Sequence, residues 1–254
     1  MLKSSPIDVK KIYNDYALFQ REQNRINRYE GNESWYHGSG AGSCSRKLYF
    51  ESVEFARPTN EIERKSHRIL RLGTILHDDF EKAFELYNNQ FYNSLVYNTS
   101  NTTSNNTSNN TSSKKENKNK EKIKFHLEEE VTIEELNVRG FYDMVAEKDG
   151  KIYLYDLKSS ASYSWTMRFG RNKSTNNVSI HYELQLGTYG YAIREKFGRL
   201  DGMFLLFYNK DNSQIKEVEI PESYISRAYL FWRNINDEHK MGLPMFRKGV
   251  SPVQ

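Results

Sequence analysis

The chain has 254 residues with 18 Tyr and 14 Phe, enough length and aromatic surface for one sizeable core, alone or with an appendage. The formal net charge of +4 points to a polyanionic partner, but residues 98–122 hold five lysines against two glutamates, so the rest of the chain is close to neutral and charge alone says little. A single cysteine, Cys44, excludes an internal disulfide and any multi-cysteine metal site, and the lack of an apolar leader or of a run of ~20 apolar residues predicts a soluble protein of the reducing cytoplasm with no membrane association.

In chain order, residues 1–36 read as a polar helical segment with a thin apolar stripe of Tyr13, Tyr16 and Leu18. A Gly/Ser loop follows, then a short helix over about 43–55 with Leu48, Tyr49 and Val53 facing inward. Residues 61–88 carry the strongest helical pattern, because Ile62, Ile69, Leu72, Leu76, Phe80 and Phe84 recur at three- and four-residue steps. Gly73 inside that helix hints at close packing. Residues 98–122 are polar, repetitive and without aromatics, which predicts a flexible insertion in a loop of one 1–254 domain. Beyond it, residues 123–132, 138–147 and 152–159 read as strands and 182–197 as an amphipathic helix. Residues 202–208 and 214–220 read as a hairpin about Lys210-Asp211-Asn212, and 223–241 as a final helix carrying Trp232. This order predicts an α/β fold with a central mixed sheet flanked by helices.

The stretch 138–160 carries the chemistry. Asp149-Gly150 between two apolar runs is the signal for a two-residue hairpin turn with positive φ at both central positions. That turn pairs Lys148 with Lys151 and sets Asp143 directly across from Asp156. Opposed residues have Cβ atoms roughly 4.5–5.5 Å apart, and two carboxylates so placed repel unless one is protonated or a cation sits between them. A hard divalent ion is the natural occupant. Strand alternation puts Lys158 on the face of Asp156. The alternative is a solvent-facing strand with scattered charges, and a different turn length would take Asp143 out of line.

These residues resemble the PD-(D/E)xK nuclease superfamily, in particular its RecB-like exonuclease branch. The acidic residue of one strand is matched by Gly140-Phe141-Tyr142-Asp143, and the Asp/Glu-x-Lys of the next by Asp156-Leu157-Lys158. The branch adds Gly-x-x-x-His on a preceding helix, matched by Gly73 to His77, and Gln-x-x-x-Tyr on a following one, matched by Gln185 to Tyr189. The match covers about residues 40–195. The resemblance implies a restriction-endonuclease-like core. It implies magnesium or manganese held by His77, Asp143, Asp156 and the Leu157 carbonyl, with Lys158 orienting or deprotonating the attacking water. Gln185 and Tyr189 would position the lysine or the DNA strand. His77 also reads as a core histidine. Glu81, one turn later, reads as a partner of His77 or the metal, or as a solvated side chain.

Cys44 to Tyr49 is similar to the N-terminal segment of CRISPR-associated RecB-like nucleases, where four cysteines hold an iron–sulfur cluster; one cysteine excludes that cluster here. Arg46 stays a candidate phosphate contact. Residues 162–177 interleave Tyr163, Trp165 and Phe169 with Arg168, Arg171 and Lys173, a mixture suited to single-stranded DNA or equally to a surface loop tethered by Trp165. The resulting expectation is a divalent-metal-dependent DNA exonuclease of phage or bacterial replication, recombination or repair, with proteins of those processes as partners. The alternatives are a structure-specific endonuclease and a non-catalytic DNA-binding module of the same fold.

Overall fold

The computed structural model describes residues 8–29, 35–52, 63–100, 123–170 and 180–244. They form helices α1 (Val9–Tyr29), α2 (Ser45–Ser52), α3 (Arg64–Ser100), α4 (Ser162–Phe169), α5 (His181–Phe197) and α6 (Ser223–Lys240). The strands are β1 (Tyr36–His37), β2 (Ile123–Leu127), β3 (Glu130–Ile133), β4 (Val138–Phe141), β5 (Met144–Lys148), β6 (Lys151–Ser160), β7 (Gly202–Asn209) and β8 (Ile215–Glu219). Among the described residues no helix is long and apolar enough to cross a membrane. The insertion expected at 98–122 lies outside the described residues from 101 onward, where α3 ends.

The central sheet has the order β2-β5-β6-β7-β8, with β6 and β7 parallel and the other pairs antiparallel. It is therefore mixed, as the alternation of helix and strand patterns implies, and α5 is the crossover that joins its parallel pair. A smaller sheet, β1-β4-β3, lies beside it. The β5–β6 hairpin has the expected register, Lys148 opposite Lys151 and Met144 opposite Tyr155. Its turn residues Asp149 and Gly150 both have positive φ, 51° and 72°, which matches the twist of the flanking strands.

Two expected strands are each broken in two. Residues 123–132 divide into β2 and β3 at Glu128, whose φ is 47°, and 138–147 divide into β4 and β5 at Tyr142-Asp143. The two antiparallel segments cross between the sheets side by side, the first from the large sheet to the small and the second back, tied by Glu128 N–H to Asp143 O (3.1 Å) and Tyr142 N–H to Glu129 O (3.3 Å). The apolar residues Phe125, Leu127, Val131 and Ile133 stay in one alternating phase across the break, so the hydrophobic pattern carries no mark of it.

The core lies where α5 and α6 cover one face of the sheet. Leu154, Leu186, Ile193, Leu205, Phe207, Ile225 and Trp232 are fully buried there. The Trp232 ring stacks on Tyr36 and its indole N–H donates to Thr188 Oγ1 (2.8 Å). The other face is covered by the middle of α3, where Phe84 packs on Phe125 with ring centroids 4.7 Å apart. The start of α3 departs from the expected stripe: Ile69 and Leu72 are 45% and 52% exposed, because the sheet lies only under the later turns. Ile62 and Val53 lie outside the described residues. In α1, Tyr13, Tyr16 and Leu18 face outward, and Asn14 and Ala17 make the buried contact with α3, Asn14 accepting from Arg68. Gly73 does mark a close approach, since a Cβ there would sit 3.2 Å from Ser159 Oγ on β6.

The tightest helix contact is at Gly187, where a Cβ would lie 2.3 Å from the Tyr224 carbonyl oxygen of α6. The obstacle is backbone, so the helices must separate to admit a methyl group. Gly187→Ala is expected to cost about 1–3 kcal/mol, read as a lower urea midpoint at unchanged slope. A midpoint equal to the parent would show that α5 and α6 pack less closely than this.

Candidate functional site

Strand alternation gives β6 two chemically distinct faces. Ile152, Leu154, Asp156 and Lys158 point toward α5, and Tyr155 and Leu157 point toward α3. Asp143 stands just before β5, at the end of the ladder and at the rim between these faces.

On the α5 side, Asp156 is 1% exposed and Lys158 Nζ lies 2.5 Å from its Oδ2. Gln185 of α5 joins them through both ends of its amide. Its Nε2 donates to Asp156 Oδ1 (3.1 Å) and its Oε1 accepts from Lys158 Nζ (3.1 Å). Lys158 also lies over the Tyr182 ring, 5.1 Å from its centroid. Burial pushes the Asp156 carboxyl above its usual range, with the charge of Asp143 adding to the rise and Lys158 opposing it. Burial also disfavours the Lys158 ammonium, but the charges of Asp156 and Asp143 outweigh it and hold the lysine above its ordinary value. The pair is therefore best described as ionic, with the proton on the lysine.

On the α3 side, Asp143 Oδ2 accepts from the Leu157 backbone N–H (2.6 Å), and His77 Nδ1 lies 3.6 Å from that same oxygen. Burial, followed by the nearby charge of Lys158, pushes the His77 imidazolium below its ordinary value, so the ring is neutral near pH 7 and offers a lone pair. Glu128 completes this group: His77, Glu128 and Asp143 each place one ligand atom within 4.8 Å of the others. A cleft lined by these three residues continues along an apolar wall that includes Phe80, Phe84, Met144 and Tyr155.

The donor set suits a hard or borderline divalent cation, two carboxylates with one imidazole. Asp156 Oδ2 points the same way. It is a buried carboxylate oxygen, 2.5 Å from the Lys158 ammonium. Of the sequence candidates, Asp156, Lys158 and Gln185 thus form one directly bonded group, and His77, Asp143 and the Leu157 backbone form the adjoining one. Glu128 was not foreseen. Read as one continuous strand, residues 123–132 put it on a solvent-facing position, and only the pairing of β2 with β5 brings it beside Asp143.

The remaining candidates are placed elsewhere or in other roles. Tyr189 is buried one turn beyond Gln185, packed where a Cβ on Gly38 or Gly140 would meet its ring or hydroxyl at 2.6 Å and 2.9 Å. Glu81 lines the same cleft outside the three-residue group, its carboxyl held up first by burial and then by Glu85 and Asp78. Arg46 Nη1 donates to the Pro244 carbonyl (2.8 Å), which ties α2 to the chain after α6. Residues 162–169 are the helix α4 and not a loop. Trp165 packs on Phe169 at 4.9 Å, and Arg168 pairs with the buried Glu183 (3.0 Å) over the Phe207 ring. Tyr163 alone of this group presents its side chain to solvent, at 78% exposure. Arg171 and Lys173 lie outside the described residues.

Below the carboxylates, Glu129 supports the crossing. It accepts from the buried Tyr142 hydroxyl (2.7 Å) and from Lys196 of α5 (2.6 Å), and its pKa is held down to about 2, first by the Lys196 hydrogen bond and also by Tyr142. A depressed folded pKa stabilises the fold above the unfolded value near 4.5 and loses that contribution as pH falls toward 2. Glu129→Gln is expected to flatten this acid limb in stability measured from pH 5 to pH 2. An acid limb as steep as the parent's would remove Glu129 as its source.

Comparison with known proteins agrees with this architecture. The family model of the PD-(D/E)XK nuclease superfamily matches residues 39–241. A presumed exonuclease from Eubacterium rectale has a similar fold, with a TM-score of 0.50, 12% identity and 90% of each chain covered. An alkaline exonuclease from Laribacter hongkongensis aligns with a TM-score of 0.41 at 10% identity, over 85% of this chain and 92% of that one. No curated protein matches.

Proposed function

Because the chain belongs to the PD-(D/E)XK nuclease superfamily, we propose that it is a divalent-metal-dependent deoxyribonuclease of the RecB-like branch, acting as an exonuclease on DNA ends. The observation that carries this reading is the convergence of Asp143, Asp156, Lys158, His77 and Gln185 at one rim of the sheet, from three helices and strands far apart in sequence. His77, Asp143, Asp156 and the Leu157 carbonyl would hold magnesium or manganese, the imidazole favouring the latter. Bound there, such an ion supplies Lewis acidity and lowers the pKa of water for phosphodiester hydrolysis.

The side chains have separable tasks. Lys158, ion-paired with Asp156, would orient the attacking water and supply positive charge for the phosphate in the transition state. Gln185 holds the lysine and Asp156 in one geometry through its two amide ends. Tyr189 acts indirectly, by seating α5 against Gly38 and Gly140. Tyr163 is available for a stacked base. The setting in replication, recombination or repair, in a phage or bacterium, follows from the same branch resemblance.

Asp143→Asn is the cleaner test of the site, since it keeps the shape of a partly exposed group. Asp156→Asn strands the buried Lys158 ammonium and is expected to cost stability as well, about 3–5 kcal/mol. Both variants should lose cleavage of linear DNA in magnesium or manganese, by at least a hundred-fold, with Asp143→Asn keeping the parental melting temperature. Undiminished metal-dependent cleavage by a clean Asp143→Asn preparation would refute the assignment. Cutting of covalently closed circles would establish an endonuclease, and inactivity of the parent on both substrates would favour a binding module.

A further inference from the structure

Glu128 is the acidic residue of this site that no motif of the chain predicts. Its position follows from the crossing of the two strand pairs. β2 runs antiparallel to β5 with Leu127 opposite Met144, so the next residues outward are Glu128 and Asp143. The Glu128 N–H bonds the Asp143 carbonyl, and the Glu128 backbone adopts a left-handed conformation, φ 47°, that a residue with a side chain takes up only under constraint. This turn brings a Glu128 oxygen within 4.8 Å of ligand atoms of both His77 and Asp143.

We propose that Glu128 is a metal-ligating residue, the third side chain of a His77–Glu128–Asp143 group that binds a divalent cation on the α3 side of the sheet rim. This rests on the metal-dependent reading above and adds a ligand to it. Two carboxylates brought this close repel, and a divalent cation held with the His77 imidazole offsets that charge. The buried Asp156–Lys158 ion pair belongs to the same rim. The proposal also assigns a purpose to the left-handed residue, since a glycine would satisfy that backbone without strain but would provide no ligand.

The experiment measures Mn2+ binding to the full-length protein by the loss of the free-ion electron paramagnetic resonance signal, without DNA, and the melting temperature with and without Mn2+. Glu128→Gln is expected to weaken Mn2+ binding at least ten-fold with parental melting of the metal-free protein. Glu128→Gly separates ligand from backbone. Its metal-free melting temperature should equal or exceed the parent's, while its Mn2+-induced rise should shrink or vanish. Parental Mn2+ affinity in both variants, beside a loss in Asp143→Asn, overturns the role of Glu128 and leaves the site reading intact. Parental affinity in Asp143→Asn as well overturns both.

Discussion

The geometry depends on one crossing, where residues 128–129 carry the chain from the large sheet to the small one and residues 142–143 carry it back. Two backbone hydrogen bonds tie the chains together there, and Glu129 fastens the crossing to α5 through Tyr142 and Lys196. Asp143 is the first residue past the bend. It is therefore free of the strict alternation that would have held it on the α5 face with Asp156, and its carboxylate reaches the Leu157 amide and His77 instead. A straight strand would have buried both acids on one side. The bend spreads the polar groups around the sheet rim, where a phosphate can approach.

The buried pair of Asp156 and Lys158 supplies the second constraint. Desolvating both charges is costly, and such pairs rarely stabilise a fold over apolar packing. This pair is held by Gln185 from α5, so its geometry depends on how closely α5 lies on the sheet. Gly187, Thr188 and Trp232 fix that distance from behind through α6. Packing well away from the chemistry thereby sets the lysine's position, and losses there should appear as misplacement of Lys158 before they appear as unfolding.

The hairpin was legible because its cause is local. Asp149-Gly150 specifies a turn, the turn specifies the register, and the register places Asp143 at the level of Asp156. The helix carrying His77 was legible for a similar reason, periodicity over several turns. The sheet crossing was not, since Phe125 to Ile133 keep one phase through it, and Glu128 was hidden with it. Residues 162–169 misled in another way. Aromatic and basic side chains suit both nucleic acid and a helix that packs by cation–π contact, and Arg168 is spent on Glu183 and Phe207, a tertiary pairing no local pattern encodes.

The same accounting explains where the molecule tolerates poor interactions. Glu183 Oε2 is buried without a hydrogen-bond donor, Asp156 Oδ2 is buried against the Lys158 ammonium, and Glu128 has a left-handed backbone. Around Trp232, Tyr36 and Thr188 the rings stack and the indole N–H is bonded. The helices are held together at this apolar end, away from the polar rim. A stiff apolar end lets the polar rim stay preorganised without satisfying itself. Were the rim to relax into fully paired internal hydrogen bonds, its carboxylates would have nothing left to offer a cation.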